Sequence, residues 1–483
     1  MSEEILINVT PPETRVALIE NGIVQELIIE RAGRRGLVGN VYKGRVCRVL
    51  PGMQAAFVDI GLERAAFLHA SDIVQSGENR SDDIAVLLQE GGEVVVQVVK
   101  DPLGGKGARL TTNLSIPSRF LVFMPAMRNV GVSQKIEDEE ERARLREILL
   151  RISEDLGVPG GVIARTVADG ADELALRADL QFLLRLWESV RDRATRAAAK
   201  ELVHEDLPLV LRTMRDLVGQ SVDRVRVDSR STWERAVAFA ELFTPDMVQR
   251  IEYYPGERPI FELYGVEDEV QKALERKVEL KSGGHLVIDQ TEAMTTIDVN
   301  TGAFVGHRNL EETIFKTNLE AAQTICRQLR LRNLGGIIII DFIDMEEEEH
   351  RRQVLQALEK ALAKDHAKTH VSTVSQLGLV EMTRKRTRES LAHQLCMPCP
   401  ACEGRGFLKT PETVCYEIFR EILRQAGQFD LQQLLVLAHQ DVIERLLDEE
   451  SAALGELEVL VGKPIRLQTE SLYEPDQYDV VLM

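Results

Sequence analysis

Four consecutive isoleucines, Ile337 to Ile340, stand between a Gly335-Gly336 pair and Asp341, and this run narrows the possible folds more than any other feature. A short unbroken apolar run bounded by glycine and an acid reads as a strand covered on both faces. Asp341 then sits where a buried sheet meets solvent. In TTIDVNTG, period-two alternation puts Thr296, Asp298 and Asn300 on one face of a second strand and Ile297 and Val299 on the other. Strand-end carboxylates beside other oxygen donors suit Mg²⁺, which takes one or two protein carboxylates and completes its octahedron with water and substrate phosphate. An aspartate ending a strand is also common turn or N-cap chemistry, and for either residue alone that simpler reading holds. The pair, with Asn300 and the basic stretch between them, points instead to phosphate chemistry.

At 483 residues the chain is too long for one core, so three or more domains are expected. With 44% hydrophobic and 28% charged residues it is globular material rather than a disordered chain. The N-terminus, MSEEILINV, is acidic, and no apolar run approaches the roughly 18 residues of a membrane span, so the expected location is the cytoplasm, away from membranes. A net charge of −19 argues at face value against a polyanionic partner. Base is nevertheless clustered at Arg327, Arg330 and Arg332 and at Arg384, Lys385, Arg386 and Arg388, which is read as a local groove for phosphates. The acidic tract from Asp344 to Glu349 reads as the solvated first turn of a helix, with Asp344 available to support the metal site.

Residues 1–36 form short strands (ILINV, TRVALIE, VQELIIE) that need a partner from elsewhere in the chain. From Val38, short glycine-punctuated strands predict a small antiparallel barrel. With its G-x-V-x-x-V start, AAFVDIG strand and FLHASDI close, this segment resembles an S1 RNA-binding domain, an OB-type barrel. Phe57 and Phe67 then fall where bases stack, and Lys43, Arg45, Lys106 and Arg109 form a cationic track. Without that resemblance both phenylalanines would be read as core residues.

Helices are predicted near 138–155 and 173–203, separated by VPGGVIARTVADG, where Arg165 and Thr166 stand side by side. An arginine fork beside a hydroxyl can cradle a terminal phosphate, although on spacing alone a surface salt bridge is the simpler reading. Residues 211–273 alternate strand and helix, in a unit the N-terminal strands could complete, and 274–393 form a second α/β unit holding both aspartates. Its central helix is marked by Asn309 as N-cap with Glu312 three later, then Leu310, Ile314, Ala321, Ile325 and Leu329 along one face.

Six cysteines are few for this length and imply no disulfide framework; Cys396, Cys399 and Cys402 in LCMPCPACEGRGF have zinc-knuckle spacing. Three neighbouring thiolates cannot easily reach one ion. Either two chains each give two cysteines, or His393 or Cys415 completes a local site, or the thiols are unligated.

AAFVDIG with FLHASDI, GGVIARTVADG, TTIDVNTGAFVGHRNLEETI, LRLRNLGGIIIIDFIDM and CPACEGRG, in that order, closely resemble the RNase E/G family over essentially the whole chain. The chain stops at DVVLM, without the long disordered scaffold of the family's larger member. The resemblance implies a multidomain α/β (α+β) protein. Its RNase H-like domain (1–36 and 211–273) is split by an S1 barrel (37–118) and a 5′-sensor region (119–210). A DNase I-like catalytic domain (274–393), a zinc link (394–409) and a small C-terminal domain (410–483) follow.

It further implies a Mg²⁺-dependent endoribonuclease that cuts A/U-rich single-stranded RNA, favours 5′-monophosphorylated ends and leaves 5′-phosphate and 3′-hydroxyl. Asp298 and Asp341 would hold Mg²⁺ with Asn300 in support, and Phe57, Phe67 and Lys106 would grip RNA. Arg165 and Thr166, with the main chain near Val122, would sense the 5′-phosphate. Cys399 and Cys402, with Cys396 as a further thiol, would hold Zn²⁺ between two chains of a homodimer or higher oligomer. The implied substrates are the 16S rRNA precursor and mRNA. The competing reading is a non-catalytic RNA-binding scaffold with structural zinc; a DNase or other phosphoesterase is disfavoured by the S1-like segment.

Overall fold

The computed structural model describes all residues except 1, 34, 76–80, 103–105, 218–221, 303–309, 376, 387, 430 and 431, and the side chain of residue 246. The chain forms two compact units, Met1–Gln394 and Leu395–Met483. It is a mixed α/β protein of several domains, one of them a closed β-barrel.

The first sheet joins distant segments. Glu3–Val9 pairs antiparallel with Glu13–Glu20, which pairs with Ile23–Arg31; on its other edge Glu3–Val9 runs parallel to Val222–Val227, and that strand to Ile251–Tyr253. Ile5, Leu6 and Ile7 are all fully buried, so this strand is covered on both faces. Helices Leu209–Asp216 and Arg230–Phe243 contribute Leu209, Met214, Ala236 and Ala240 to its core.

Between Arg31 and Leu209 lie two further bodies. The barrel runs Val41–Leu50, Ala55–Asp59, Ala66–His69, Arg109–Thr111, Glu93–Lys100 and closes on Val41–Leu50. Its tightness requires glycine at Gly44, where a Cβ would come within 2.4 Å of Val58. The second body carries Ile116–Pro117, Leu121–Met124, Gly161–Ala164 and Val130–Val132 in one sheet, with helices Glu139–Asp155 and Glu173–Arg196 against it. Asp138 and Asp172 cap these helices. The second helix stops at Arg196, short of the predicted 203, because Leu202–His204 pairs with the start of the barrel strand Val41–Leu50.

The six-stranded sheet that carries both aspartates has the order Lys277–Glu279, His285–Gln290, Met294–Asn300, Gly336–Asp341, Leu379–Arg384, Thr369–Val374. Helices Leu310–Leu331 and Glu348–Leu362 join its core through Ala321, Ile325, Leu329, Val354 and Leu358. Leu310 does not join this stripe, being 69% exposed, and Asn309 lies outside the described residues. The isoleucine run is not covered on both faces: Ile338 and Ile340 are fully buried under the helices, whereas Ile337 is 48% exposed. The helices cover one face and leave the other to solvent.

In the second unit a three-stranded sheet, Ile465–Thr469, Leu434–Ala438, Tyr478–Leu482, packs with helices Pro411–Gln428, Gln440–Leu447 and Ser451–Val461. Among the described residues no helix is long and apolar enough to cross a membrane.

Candidate functional site

Met294–Asn300 and Gly336–Asp341 run parallel, with Asp298 directly in register with Asp341. Alternation along the first strand buries Thr295, Ile297 and Val299 and exposes Thr296 and Asp298, so both carboxylates project from the open face of the sheet. The Asn300 side-chain amide donates to Asp298 Oδ2 at 2.9 Å, which turns that carboxylate and leaves its other oxygen available. Asp341 is exposed as a residue, yet partial desolvation of its carboxyl, then the neighbouring charges of Asp298 and Asp344, hold it above the ordinary carboxylate value. Among the described residues neither Asp298 nor Asp341 makes an ion pair with lysine or arginine. Paired, mutually repelling carboxylates with oxygen donors beside them fit a hard divalent cation. Among the described residues no group of three histidine, cysteine, aspartate or glutamate side chains is placed to hold one metal ion.

The arginines read as a phosphate groove serve another purpose. Arg330 is buried against Glu20 at 3.0 Å, Arg327 pairs with Glu269 at 2.9 Å, and Arg388 with Glu26 at 3.0 Å. Arg384 is 5% exposed and pairs with the buried Asp365 at 2.6 Å, and Arg386 donates to the Gly335 carbonyl at 2.9 Å. Arg332, also buried, donates to Gln328 and the Glu275 carbonyl; burial, then repulsion from Arg327, bring it down to about 10. Arginine forks at these places close ion pairs and cap carbonyls inside the unit, so only Lys385, exposed, is left from the second cluster as a surface cation without a described tie of this kind.

On the barrel, Phe57 and Phe67 are directly opposite each other on adjacent strands, with ring centroids 6.1 Å apart at 72°. Both are half-buried and outside the barrel's buried core, which consists of residues such as Val46, Val58, Leu68 and Leu110. Arg109 stands in register with Phe67 and is held by Asp72 at 2.8 Å, and Lys106 is exposed. Lys43 is no part of an open track: its ammonium is tied to the Ala197 carbonyl at 3.0 Å and to Glu93 at 3.2 Å. Arg45 reaches the same Glu93 at 3.9 Å.

Arg165 follows the Gly161–Ala164 strand. One guanidinium nitrogen donates to the Ser118 carbonyl at 2.6 Å and the other to Asp216 at 2.6 Å, so part of the fork is already committed. Burial pushes Asp216 upward, but the charged hydrogen bonds from Arg215 and Arg165 outweigh it and hold the carboxyl below its usual value. Thr166 Oγ1 lies 3.0 Å from Ser133 Oγ on the exposed side, and Val122 lies on the neighbouring strand opposite Ile163.

In the second unit Cys396 and Cys399 are exposed and Cys402 is buried. The backbone N–H groups of Gly406 and Gly404 donate to the Cys402 sulfur and, with a hydrogen bond from Cys399, hold its thiol below the usual value. Both glycines have positive φ, +82° and +85°, which is what aims their amides at the sulfur. Cys415 is not a local ligand: it is fully buried in the C-terminal core, its thiol facing the Val442 carbonyl, and burial pushes it up to about 11.

Spacing and periodicity pass over Asp216, which restrains Arg165, and Asn318, a buried amide bonded to the chain just after Asp341. For Asn318 the one sequence signal is a polar side chain on the apolar stripe of an amphipathic helix.

Comparison with known proteins gives the class. The Ribonuclease E/G family model matches residues 115–387, the S1 RNA binding domain 37–111, and the RNase E/G thioredoxin-like domain 398–482. The chain is 57% identical to Ribonuclease G of Escherichia coli (strain K12), covering 100% of both chains, and 54% identical to Ribonuclease G of Haemophilus influenzae over 99% of each. It is 37% identical to Ribonuclease E of Escherichia coli (strain K12), over 94% of this chain and 44% of that one. The chain belongs to the Ribonuclease E/G family.

Proposed function

We propose that this endoribonuclease is Mg²⁺-dependent and single-strand-specific, in the manner of the ribonucleases G it is similar to. It would cut A/U-rich RNA at phosphodiesters brought to Asp298 and Asp341. The observation that carries this reading is the register of those two carboxylates on the open face of the sheet, with Asn300 orienting one of them. Bound there, Mg²⁺ would neutralise charge on the scissile phosphate and acidify a water beside it. Asp298 and Asp341 would hold the cation, and the hydrogen bond from Asn300 would keep the Asp298 carboxylate oriented. Water attacks phosphorus in line, the bond to the 3′-oxygen breaks, and that oxygen takes a proton, leaving 5′-phosphate and 3′-hydroxyl ends.

Phe57 and Phe67 would stack splayed bases and Lys106 would contact the backbone, which requires a single strand. Arg165 and Thr166, with the main chain by Val122, would receive a 5′-monophosphate. Cys399 and Cys402, the latter with its thiol held below the usual value, would together supply half of a tetrahedral Zn²⁺ site that a second chain completes, with Cys396 beside them. In this reading the first sheet is RNase H-like and split by the S1 barrel and 119–210, the 274–393 unit is DNase I-like, and the dimer processes the 16S rRNA precursor and mRNA in the cytoplasm.

The test is cleavage of a 5′-monophosphorylated A/U-rich RNA with and without Mg²⁺. Wild type should make metal-dependent internal cuts. Asp298→Asn and Asp341→Asn should each lose about a thousandfold in rate, the worth of several kcal/mol of charge stabilisation, while still binding RNA. Undiminished cutting by either variant would sink the assignment, and binding without cutting by wild type would favour a scaffold.

A further inference from the structure

The helix Leu310–Leu331 carries a polar side chain that the reading above does not use. Asn318 is fully buried. Its Nδ2 donates to the Ile343 carbonyl at 2.8 Å, and its Oδ1 accepts the Ile343 N–H at 3.1 Å. An amide facing one residue in this way reproduces the pair of bonds a neighbouring strand would make. It does so where strands have run out: the last registered partners of Gly336–Asp341 are Asp298 and Leu379, both opposite Asp341. Ile343 lies two residues beyond Asp341 and one before Asp344.

The same helix ties the loop a second time. At its start, the Glu311 carboxylate accepts the N–H groups of Glu346 at 3.2 Å and Glu347 at 3.3 Å and meets His350 at 3.0 Å, whose ring stacks on Phe315 at 4.1 Å. The chain after Asp341 is thus fastened to one rigid element at two points.

We propose that Asn318 is a positioning residue for the cation site: it holds the backbone on which Asp341 and Asp344 ride and so sets the spacing of Asp341 from Asp298. This rests on the cation reading of those carboxylates. Two like charges side by side repel, and the ladder bonds that resist their separation end at Asp341. Mg²⁺ tolerates little departure from octahedral geometry, so a loosened loop costs affinity before it costs the fold.

The experiment is Mn²⁺ binding to the full chain without RNA, by the electron paramagnetic resonance of the free ion, with Zn²⁺ supplied so that the cysteines do not compete. Asn318→Leu should weaken Mn²⁺ binding by about 10- to 100-fold, the usual range for a group that supports metal ligands. Cleavage should fall comparably at limiting Mg²⁺ and recover in part when Mg²⁺ is raised. Leu329→Ala removes fully buried methyl groups from the same helix without touching the loop, and should leave affinity within about twofold. If Asn318→Leu does not fold at the assay temperature, Asn318→Ser, too short to span both backbone groups, carries the test. Wild-type affinity in the folded Asn318 variant, or an equal loss in Leu329→Ala, overturns the proposal. Wild-type affinity in Asp341→Asn would instead overturn the cation reading itself, with the Asn318 result read separately.

Discussion

The carboxylates and the arginines of the 294–388 segment meet opposite fates. Asp298 and Asp341 stay on an open face, beside like charge, with one held above its ordinary value. Arg330, Arg332 and Arg384 are almost fully buried, and Arg330 and Arg384 close on acids. Clustered charge in a sequence therefore has two meanings that composition cannot separate. Charge that has found a partner is structural glue. Charge left facing its own kind at a surface is poised for a ligand.

Substitutions can break or sharpen that comparison. The largest effect is expected at Arg384→Met, which leaves Asp365 buried without its partner. The unfolding midpoint in denaturant should fall by the equivalent of about 3–5 kcal/mol, with RNA affinity of the folded protein unchanged. Weakened RNA binding at unchanged stability would return this arginine to a surface role.

Next come Phe57→Ala and Phe67→Ala, each expected to cost about 1–3 kcal/mol in affinity for single-stranded RNA, with little loss of stability because both rings are half-buried. A large drop in thermal midpoint with unchanged affinity would make them core residues after all. Arg165→Ala should cut the rate advantage of 5′-monophosphate over 5′-hydroxyl RNA by about tenfold or more, from a charged hydrogen bond worth about 1.5–3 kcal/mol. An unchanged ratio would mean that Asp216 already uses the fork fully.

The smallest effect is on metal-free stability. Because the folded value of Asp341 is raised, its contribution to stability is present below the ordinary carboxylate value and is lost as pH rises through the raised one. Asp341→Asn should therefore stabilise metal-free protein at neutral pH by less than about 1 kcal/mol at so exposed a site, seen as a small rise in thermal midpoint. The gain should vanish as pH falls through the carboxylate range, and saturating Mg²⁺ should stabilise wild type alone. A variant less stable than wild type at neutral pH without metal would show that the two carboxylates do not repel.

Local pattern was enough for some of this and misleading for the rest. The TTIDVN alternation announced which side chains face out, because a strand's period is a property of its own backbone. The strand ILINV was legible as needing a partner, but the parallel strand Val222–Val227 that it pairs with lies more than two hundred residues on. The isoleucine run misled on coverage, since whether a second layer lies over a sheet depends on what packs there, and Ile337 is left half-exposed. The arginine clusters misled for the same reason: Glu20 is 310 residues from Arg330 and Glu26 is 362 from Arg388.

By itself the sequence determined the family, the barrel's aromatic pair, the strand ends that carry Asp298 and Asp341, and the close spacing of Cys396, Cys399 and Cys402. Each is written in contiguous motifs whose periodicity or spacing is read within a few residues. Only the tertiary structure decided which charges are neutralised, which sheet face stays open, and that Asn318 fastens the loop after Asp341. Those outcomes depend on partners brought together across the chain, and burial and ion pairing are set by that meeting rather than by local order.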